Sequence, residues 1–452
     1  MKLLPALLFL TVVTLAATGV TAADPPRRPN IVLILLDDLG WGELGCQGNP
    51  EIPTPHIDSL ARDGVRFTNG YVSSPYCSPS RAGLLTGRYP AKFRFDHNPI
   101  GAQNRDPQLG LPLSERTLAD RLKAAGYATG LVGKWHLGGA PRFQPQRRGF
   151  DEFFGFLHEG HSYVRPGTEI VSRLRPNEPA YDEGNPLLRG TRPVEEPAYL
   201  TEAFTREAVS FVEKHRTHPF FLMLAYNGVH SPMQAPQRAL DRVSHIRDPH
   251  RRLFAAMLTA VDDGVGRVLA RVRELGLDQD TLVVCLSDNG GPTRELTSSN
   301  GVLRGGKGQL FEGGIRVPFL MRWSGRLAAG QVFDAPVLSL DIPATALDAA
   351  GVRTQPIEAD GGSLLPYLAR LRKGNPHTTM FWRYGANLAV RLDSWKLIRQ
   401  ATPGQPAPSF ALYNLSEDPG ETRDLSTVRA DIAERLRDQV QRWDDRMRHG
   451  DR

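Results

Sequence analysis

Four uninterrupted apolar runs constrain this chain most, because each stops abruptly at charged, amide or imidazole groups. Residues 31–36 end in Asp37 and Asp38. Residues 128–132 end in Gly133, Lys134, Trp135 and His136. Residues 220–225 lead through Tyr226 and Asn227 to His230, and residues 282–286 end in Ser287, Asp288 and Asn289. Continuous rather than alternating hydrophobicity marks strands covered on both faces, as in a mostly parallel sheet. Helical periodicity occupies 57–63, 118–125, 201–215 and 254–275. Strands alternating with helices predict an α/β fold, a large, mostly parallel mixed sheet flanked by helices. In such sheets ligands lie outside the carboxyl ends of the strands, so four runs delivering reactive groups at that end predict one shared site.

From about residue 375 the pattern changes. Strand-like pieces at 379–383, 388–392, 395–399 and 410–414 are separated by Gly, Asp and Pro and followed by a helical stretch over 431–448. They predict a smaller C-terminal antiparallel sheet plus a helix. The expected organisation is a signal peptide over 1–22, a large α/β domain over 23–374 and an α+β subdomain over 375–452. Lys2 ahead of an apolar stretch, with Val20, Thr21 and Ala22 before a cut, supports the first assignment. It predicts a secreted or periplasmic protein with no stable membrane insertion after cleavage. An uncleaved stretch of that length would instead anchor the N-terminus.

About 430 residues would remain after cleavage, enough for one large domain and a smaller one. The net charge of +6 suits an anionic partner. The basic residues are scattered and carry no aromatic interleaving, which argues against nucleic acid. Three cysteines do not make a disulfide framework for an exported protein of this size. Cys285 falls in an apolar run and reads as core; Cys46 sits in a Gly-rich turn. Cys77, among Ser and Pro, is the unexplained one.

Asp37-Asp38 and Asp288-Asn289 supply hard oxygen donors directly after strands, suited to Ca²⁺ or Mg²⁺. Strand-end Asp and Asn also cap helices and make turns, so either pair alone is ambiguous. Around Cys77, Ser78 reads as a helix cap and Pro79 as the first helical residue. Cys77 would then stand at a helix N-terminus, where N–H groups and the dipole favour negative charge, with Arg81 one turn in.

The run from Cys77 to Gly87 resembles the signature of the sulfatase family: Cys77, Pro79, Arg81, Thr86 and Gly87 match its Cys-x-Pro-x-Arg and following Thr-Gly. The resemblance extends through Asp37-Asp38, Gly133-Lys134-Trp135-His136, His230-Ser231-Pro232, Asp288-Asn289-Gly290, Gly306-Lys307-Gly308 and Glu312-Gly313-Gly314 to Trp395-Lys396-Leu397. It is closest to the arylsulfatase and N-acetylgalactosamine-6-sulfatase kind. It implies an alkaline phosphatase-like fold and hydrolysis of sulfate monoesters, on sulfated carbohydrates or aryl sulfates, through a formylglycine made from Cys77 by a maturation enzyme. It also implies one Ca²⁺ held by Asp37, Asp38, Asp288, Asn289 and the modified Cys77. Arg81, Lys134, His136, His230 and Lys307 would surround the formylglycine and the sulfate.

The alternatives are a phosphodiester or phosphonate monoester hydrolase of the same superfamily, and a non-catalytic binder of sulfated glycans with Cys77 unmodified. The loops at 94–105 and 160–194 are expected to shape the substrate pocket. Within them His97, His161 and Tyr163 read as pocket-lining or merely structural, and Arg165, Arg173 and Arg175 as anion-greeting or merely solvated.

Overall fold

The computed structural model describes residues 28–164, 181–352, 359–401 and 409–449. The expected signal peptide and Arg165, Arg173 and Arg175 lie outside the described residues. The strands are β1 (Asn30–Leu36), β2 (Val65–Phe67), β3 (Gly70–Tyr71), β4 (Ala128–Lys134), β5 (Glu152–Phe156), β6 (Leu188–Arg189), β7 (Arg192–Pro193), β8 (Phe220–Ala225), β9 (Thr281–Ser287), β10 (Phe319–Arg322), β11 (Gln331–Phe333), β12 (Val337–Leu338), β13 (Thr379–Tyr384), β14 (Asn387–Leu392), β15 (Trp395–Arg399) and β16 (Ala411–Asn414). Ten of them form one sheet in the order β11-β2-β10-β9-β1-β8-β4-β5-β6-β7. Its centre, β9-β1-β8-β4-β5, is parallel throughout. Antiparallel β10 and β6 extend it on either side. The large α/β sheet expected from the apolar runs is therefore present.

Register explains why the chemistry converges. Leu36 pairs with Ser287, so Asp37 and Asp288 leave the sheet side by side. Gly133 pairs with Ala225, which brings Lys134 out beside the segment leading to His230. Gly133 has φ +113°, and a Cβ there would stand 1.9 Å from the Ala225 carbonyl oxygen. Only glycine permits the two strand ends to approach this closely.

Side chains of β1 alternate between two cores. Ile31, Leu33 and Leu35 pack toward Leu84, Leu118 and Ile342. Val32, Ile34 and Leu36 pack toward Phe204, Leu253 and Val265 on the opposite face. Both sets are apolar because both faces are covered. The helix Pro249–Glu274 on the second face begins with Asp248 accepting from the Arg251 N–H, followed by proline at its first position. Cys285 is buried within this layer, as its apolar run predicts.

Strands β13 to β16 form a separate antiparallel sheet. Trp382, Ala389, Ile398 and Tyr413 on one face join the core of the large domain. Leu388, Val390, Leu397 and Leu412 on the other lie under the helix Ala430–His449. Trp382 also donates from its indole to the Val72 carbonyl at 2.7 Å. The stretch 160–194, expected as surface loop, contributes β6 and β7 to the edge of the main sheet. Among the described residues no helix is long and apolar enough to cross a membrane.

Candidate active site

Asp37, Asp38, Asp288 and Cys77 present ligand atoms that all lie within 4.8 Å of one another, and all four residues are buried. Three carboxylates at such distances are tolerable only with compensating charge. Lys134 reaches Asp37 Oδ2 at 2.5 Å, and Lys307 reaches Asp38 Oδ1 at 2.7 Å. Arg81 holds Asp288 Oδ2 at 2.8 Å, stands 3.6 Å from Asp37, and donates to the Lys134 carbonyl at 3.0 Å. Burial disfavours an ionised Asp37, but Lys134, His230, Arg81 and Lys307 together outweigh it and hold its carboxyl far below the usual range. Asp288 is pushed the other way, up to about 6, by burial and then by the Asp37 charge.

Asn289 completes the cluster. Its amide donates to Asp38 Oδ1 at 2.8 Å, while its buried Oδ1 has no hydrogen-bond partner. Leaving such an acceptor unsatisfied costs roughly 1–3 kcal/mol. An oxygen so placed beside three carboxylates fits a hard cation such as Ca²⁺ or Mg²⁺. The donor set therefore suits the metal that the sequence implies.

Two residues of the site carry left-handed backbone without being glycine, Asp38 at φ +65° and His136 at φ +56°. Such conformations are uncommon for branched or bulky residues and need external support. Asp38 N–H donates to Asp288 Oδ1 at 3.3 Å and its carbonyl accepts from Ser298 at 2.9 Å. His136 N–H donates to the Leu157 carbonyl, and its own carbonyl accepts from Ser78 Oγ at 2.6 Å.

That last bond corrects the expected helix start. The helix spans Cys77–Thr86 with Tyr76 in the capping position, and Ser78 makes no cap. Asn98 Oδ1 instead accepts from the Ser78 N–H at 3.0 Å, which frees the hydroxyl for the His136 carbonyl. Cys77 is the first helical residue and 1% exposed. Its sulfur lies 3.4 Å from Asp37 Oδ1. Burial first, then Asp288, push its thiol well above the ordinary value despite Lys134 and Lys307. A thiol held protonated is a poor nucleophile, whatever the helix dipole offers.

The imidazoles are held in opposite tautomers. His136 Nε2 faces the Pro99 carbonyl at 2.7 Å, so Nε2 carries the hydrogen and buried Nδ1 is bare and unpartnered. His230 Nδ1 faces the Ser231 carbonyl at 2.6 Å, which leaves Nε2 bare, 3.8 Å from Asp38 Oδ2. Burial, then nearby lysine charge, lowers both, His230 to about 4. Lys307 is displaced upward, its desolvation more than offset by Asp38, Cys77 and Asp37.

All the sequence-singled residues of the cluster thus come together. Tyr163 lines a cavity together with His161 and Asp182. It is buried, and its hydroxyl donates to the His230 carbonyl at 2.8 Å, supporting that segment from behind. His97 is partly buried in the loop that supplies Asn98 and Pro99. His161 bonds the Ser162 carbonyl and lies 3.3 Å from Asp182. The supports Asn98 and Pro99 carried no separate signal in the sequence, because one caps a backbone N–H from a distant loop and the other acts through its carbonyl.

A nucleophile position ringed by carboxylates, an orphaned amide oxygen and fixed cations is equipment for attack on an anionic ester. The family described as Sulfatase matches residues 29–352, and that described as N-sulphoglucosamine sulphohydrolase, C-terminal, matches residues 306–446. The chain belongs to the sulfatase family, enzymes that hydrolyse sulfuric esters. Among curated proteins it is 35% identical to N-acetylgalactosamine-6-sulfatase of Mus musculus, covering 91% of this chain and 85% of that one. It is 36% identical to arylsulfatase A of Bos taurus, covering 90% and 85%. The solved structure of Ps i-CgsB in complex with k-i-k-neocarrahexaose superposes with a TM-score of 0.83 at 34% identity, over 92% of this chain and 93% of that one.

Proposed function

We propose that this chain is an exported sulfatase acting on sulfated carbohydrates, with residue 77 working as formylglycine and one Ca²⁺ held by Asp37, Asp38, Asp288, Asn289 and residue 77. The observation that carries the reading is Cys77 itself, a buried thiol whose sulfur lies 3.4 Å from Asp37 Oδ1 and within 4.8 Å of ligand atoms of Asp38 and Asp288. Carbohydrate substrates are supported by the similarity to N-acetylgalactosamine-6-sulfatase and to a structure holding a neocarrahexaose. Export rests on the composition of residues 1–22.

As a hydrated aldehyde, residue 77 would offer two hydroxyls on one carbon, one that attacks sulfur as its proton passes to Asp288 and one whose deprotonation expels sulfate and re-forms the aldehyde. A cation held by Asp37, Asp38, Asp288 and Asn289 would supply fixed positive charge to the developing anion. Arg81 and Lys134 lock Asp288 and Asp37 in place. His136, with Nδ1 bare, takes the proton of the second hydroxyl. Lys307 or His230 gives the departing alcohol its proton; of the two, Lys307 holds protons at neutral pH in this geometry.

Mass spectrometry of the peptide containing residue 77, from active protein made in a host with a maturation enzyme, tests the reading. An aldehyde is expected; a thiol in active enzyme rejects it. Comparing an aryl sulfate with an aryl phosphodiester separates the superfamily alternative, which wins if the diester is cleaved orders of magnitude faster.

A further inference from the structure

The charged groups above engage the sulfate and the atoms that react, whereas one side of the site's rim is aromatic. Tyr76, in extended conformation before the helix, is partly exposed and stacks on Tyr384, with ring centroids 4.6 Å apart and planes inclined by 34°. A Cβ at Gly308, where φ is +84°, would stand 2.7 Å from Tyr76 Oη, so the turn carrying Lys307 runs beside that phenol. Both phenols lie near enough to Cys77 and Lys307 for their charges to interact. Neither hydroxyl has a hydrogen-bond partner among the described residues.

Tyr384 is placed there by its neighbours. It ends β13, opposite Asn387 at the tip of a hairpin. Trp382 bonds the Val72 carbonyl, and Arg383 bonds Asp96 at 2.6 Å and Asp444 at 3.1 Å. Two successive residues thus clamp the strand to the large domain, and the third delivers its ring to the rim. Half-buried phenols combine an apolar ring with a polar tip, and the solvent-facing part of this pair is open to a ligand. A pyranose matches them, with C–H groups on its faces and hydroxyls on its edge.

We infer that Tyr76 and Tyr384 form a stacking wall for the sugar ring that bears the sulfate, so that the C-terminal sheet sets affinity for the alcohol part of the substrate. The inference rests on the proposed carbohydrate sulfatase reading. Its test compares wild type, Tyr384→Ala and Tyr384→Phe on the best sulfated monosaccharide from a panel of hexose and N-acetylhexosamine sulfates, with inorganic sulfate as competing inhibitor. Tyr384→Ala is expected to raise KM about tenfold, with kcat and the inhibition constant of sulfate unchanged. Tyr384→Phe, which keeps the ring, is expected to raise KM by less. An unchanged KM in Tyr384→Ala overturns the wall while leaving the sulfatase reading intact. A parallel rise in the sulfate inhibition constant also overturns it, because the anion site has then been disturbed instead. A wild type that releases sulfate from none of the panel overturns the carbohydrate reading and the wall together.

Discussion

Two buried clusters of charge can be compared within this molecule. At the strand ends, Asp37, Asp38 and Asp288 face Arg81, Lys134 and Lys307. Between the large domain and the C-terminal sheet, Glu312 and Glu421 face Lys396, which stands 2.9 Å from each. In the second cluster Tyr71 donates to Glu312 at 2.6 Å, Glu421 accepts from the Glu312 N–H at 2.6 Å, and Arg391 donates to the Tyr71 hydroxyl. Burial opposes the Glu312 charge, but Lys396, Arg316 and Arg391 outweigh it and hold its carboxyl at about 2. Burial, against the pull of Lys396, raises Glu421 to about 7. Each carboxylate has found its cation, Glu421 Oε1 through the Lys396 charge at 2.9 Å rather than through an aligned hydrogen bond. The first cluster instead keeps the Asn289 oxygen and a His136 nitrogen unpaired. Closed charge holds a structure together; open charge waits for a ligand.

That contrast breaks most sharply at residue 77. Cys77→Ala should lower turnover by roughly four orders of magnitude or more, as loss of a covalent nucleophile does. Its thermal unfolding should shift by only a few degrees, at a cost of about 1 kcal/mol for the small void. Calorimetry beside a sulfate-release assay reads both, and a collapse of the fold would assign Cys77 to structure. Lys396→Met should do the reverse, costing about 3–5 kcal/mol because two buried carboxylates lose their cation. The folded fraction should keep its kcat, as judged by active-site titration. His136→Ala should reduce kcat by about 10²- to 10³-fold with little change in unfolding temperature.

Removal of metal by a chelator should abolish activity and lower stability, since three carboxylates would then lean on Arg81, Lys134 and Lys307 alone. Restored Ca²⁺ at 100 times its Kd should return about 2.7 kcal/mol. The smallest effect concerns pH. Glu421 binds its proton more tightly folded than unfolded, so its contribution is complete below about 4.5 and declines as pH rises through about 7. Glu421→Gln should flatten that decline in denaturant titrations between pH 5 and 8, by on the order of 1–3 kcal/mol. An unchanged slope would mean that Lys396 keeps Glu421 ionised throughout.

The open cluster was legible in the sequence and the closed one was not. Asp37, Lys134, His230 and Asp288 each follow a strand whose continuous hydrophobicity announces it, and parallel register then aligns them. The small sheet also announced itself, because its strands are bounded by turn residues. By contrast β3 and β12 are two residues long, too short for any period to register. Glu312, Lys396 and Glu421 come from separate elements, 84 positions apart in the case of Lys396 and Glu312. A buried ion pair of that span leaves no periodic trace. The position of Ser78 was misread because the side chain that serves the helix start, Asn98, comes from a loop 20 residues away.

The depth of residue 77 has a consequence for the life history of the protein. At 1% exposure, with its helix wedged between the strand ends and the loop of Asn98, it offers a separate enzyme no surface to grip once the chain has collapsed. Any enzymatic conversion of its thiol must therefore precede folding and act on an extended segment. If residue 77 is converted as proposed, folding sets a deadline for it: chains that fold too soon are sealed with sulfur in place. The yield of competent enzyme is then a race between two rates, one belonging to this sequence and the other to its host.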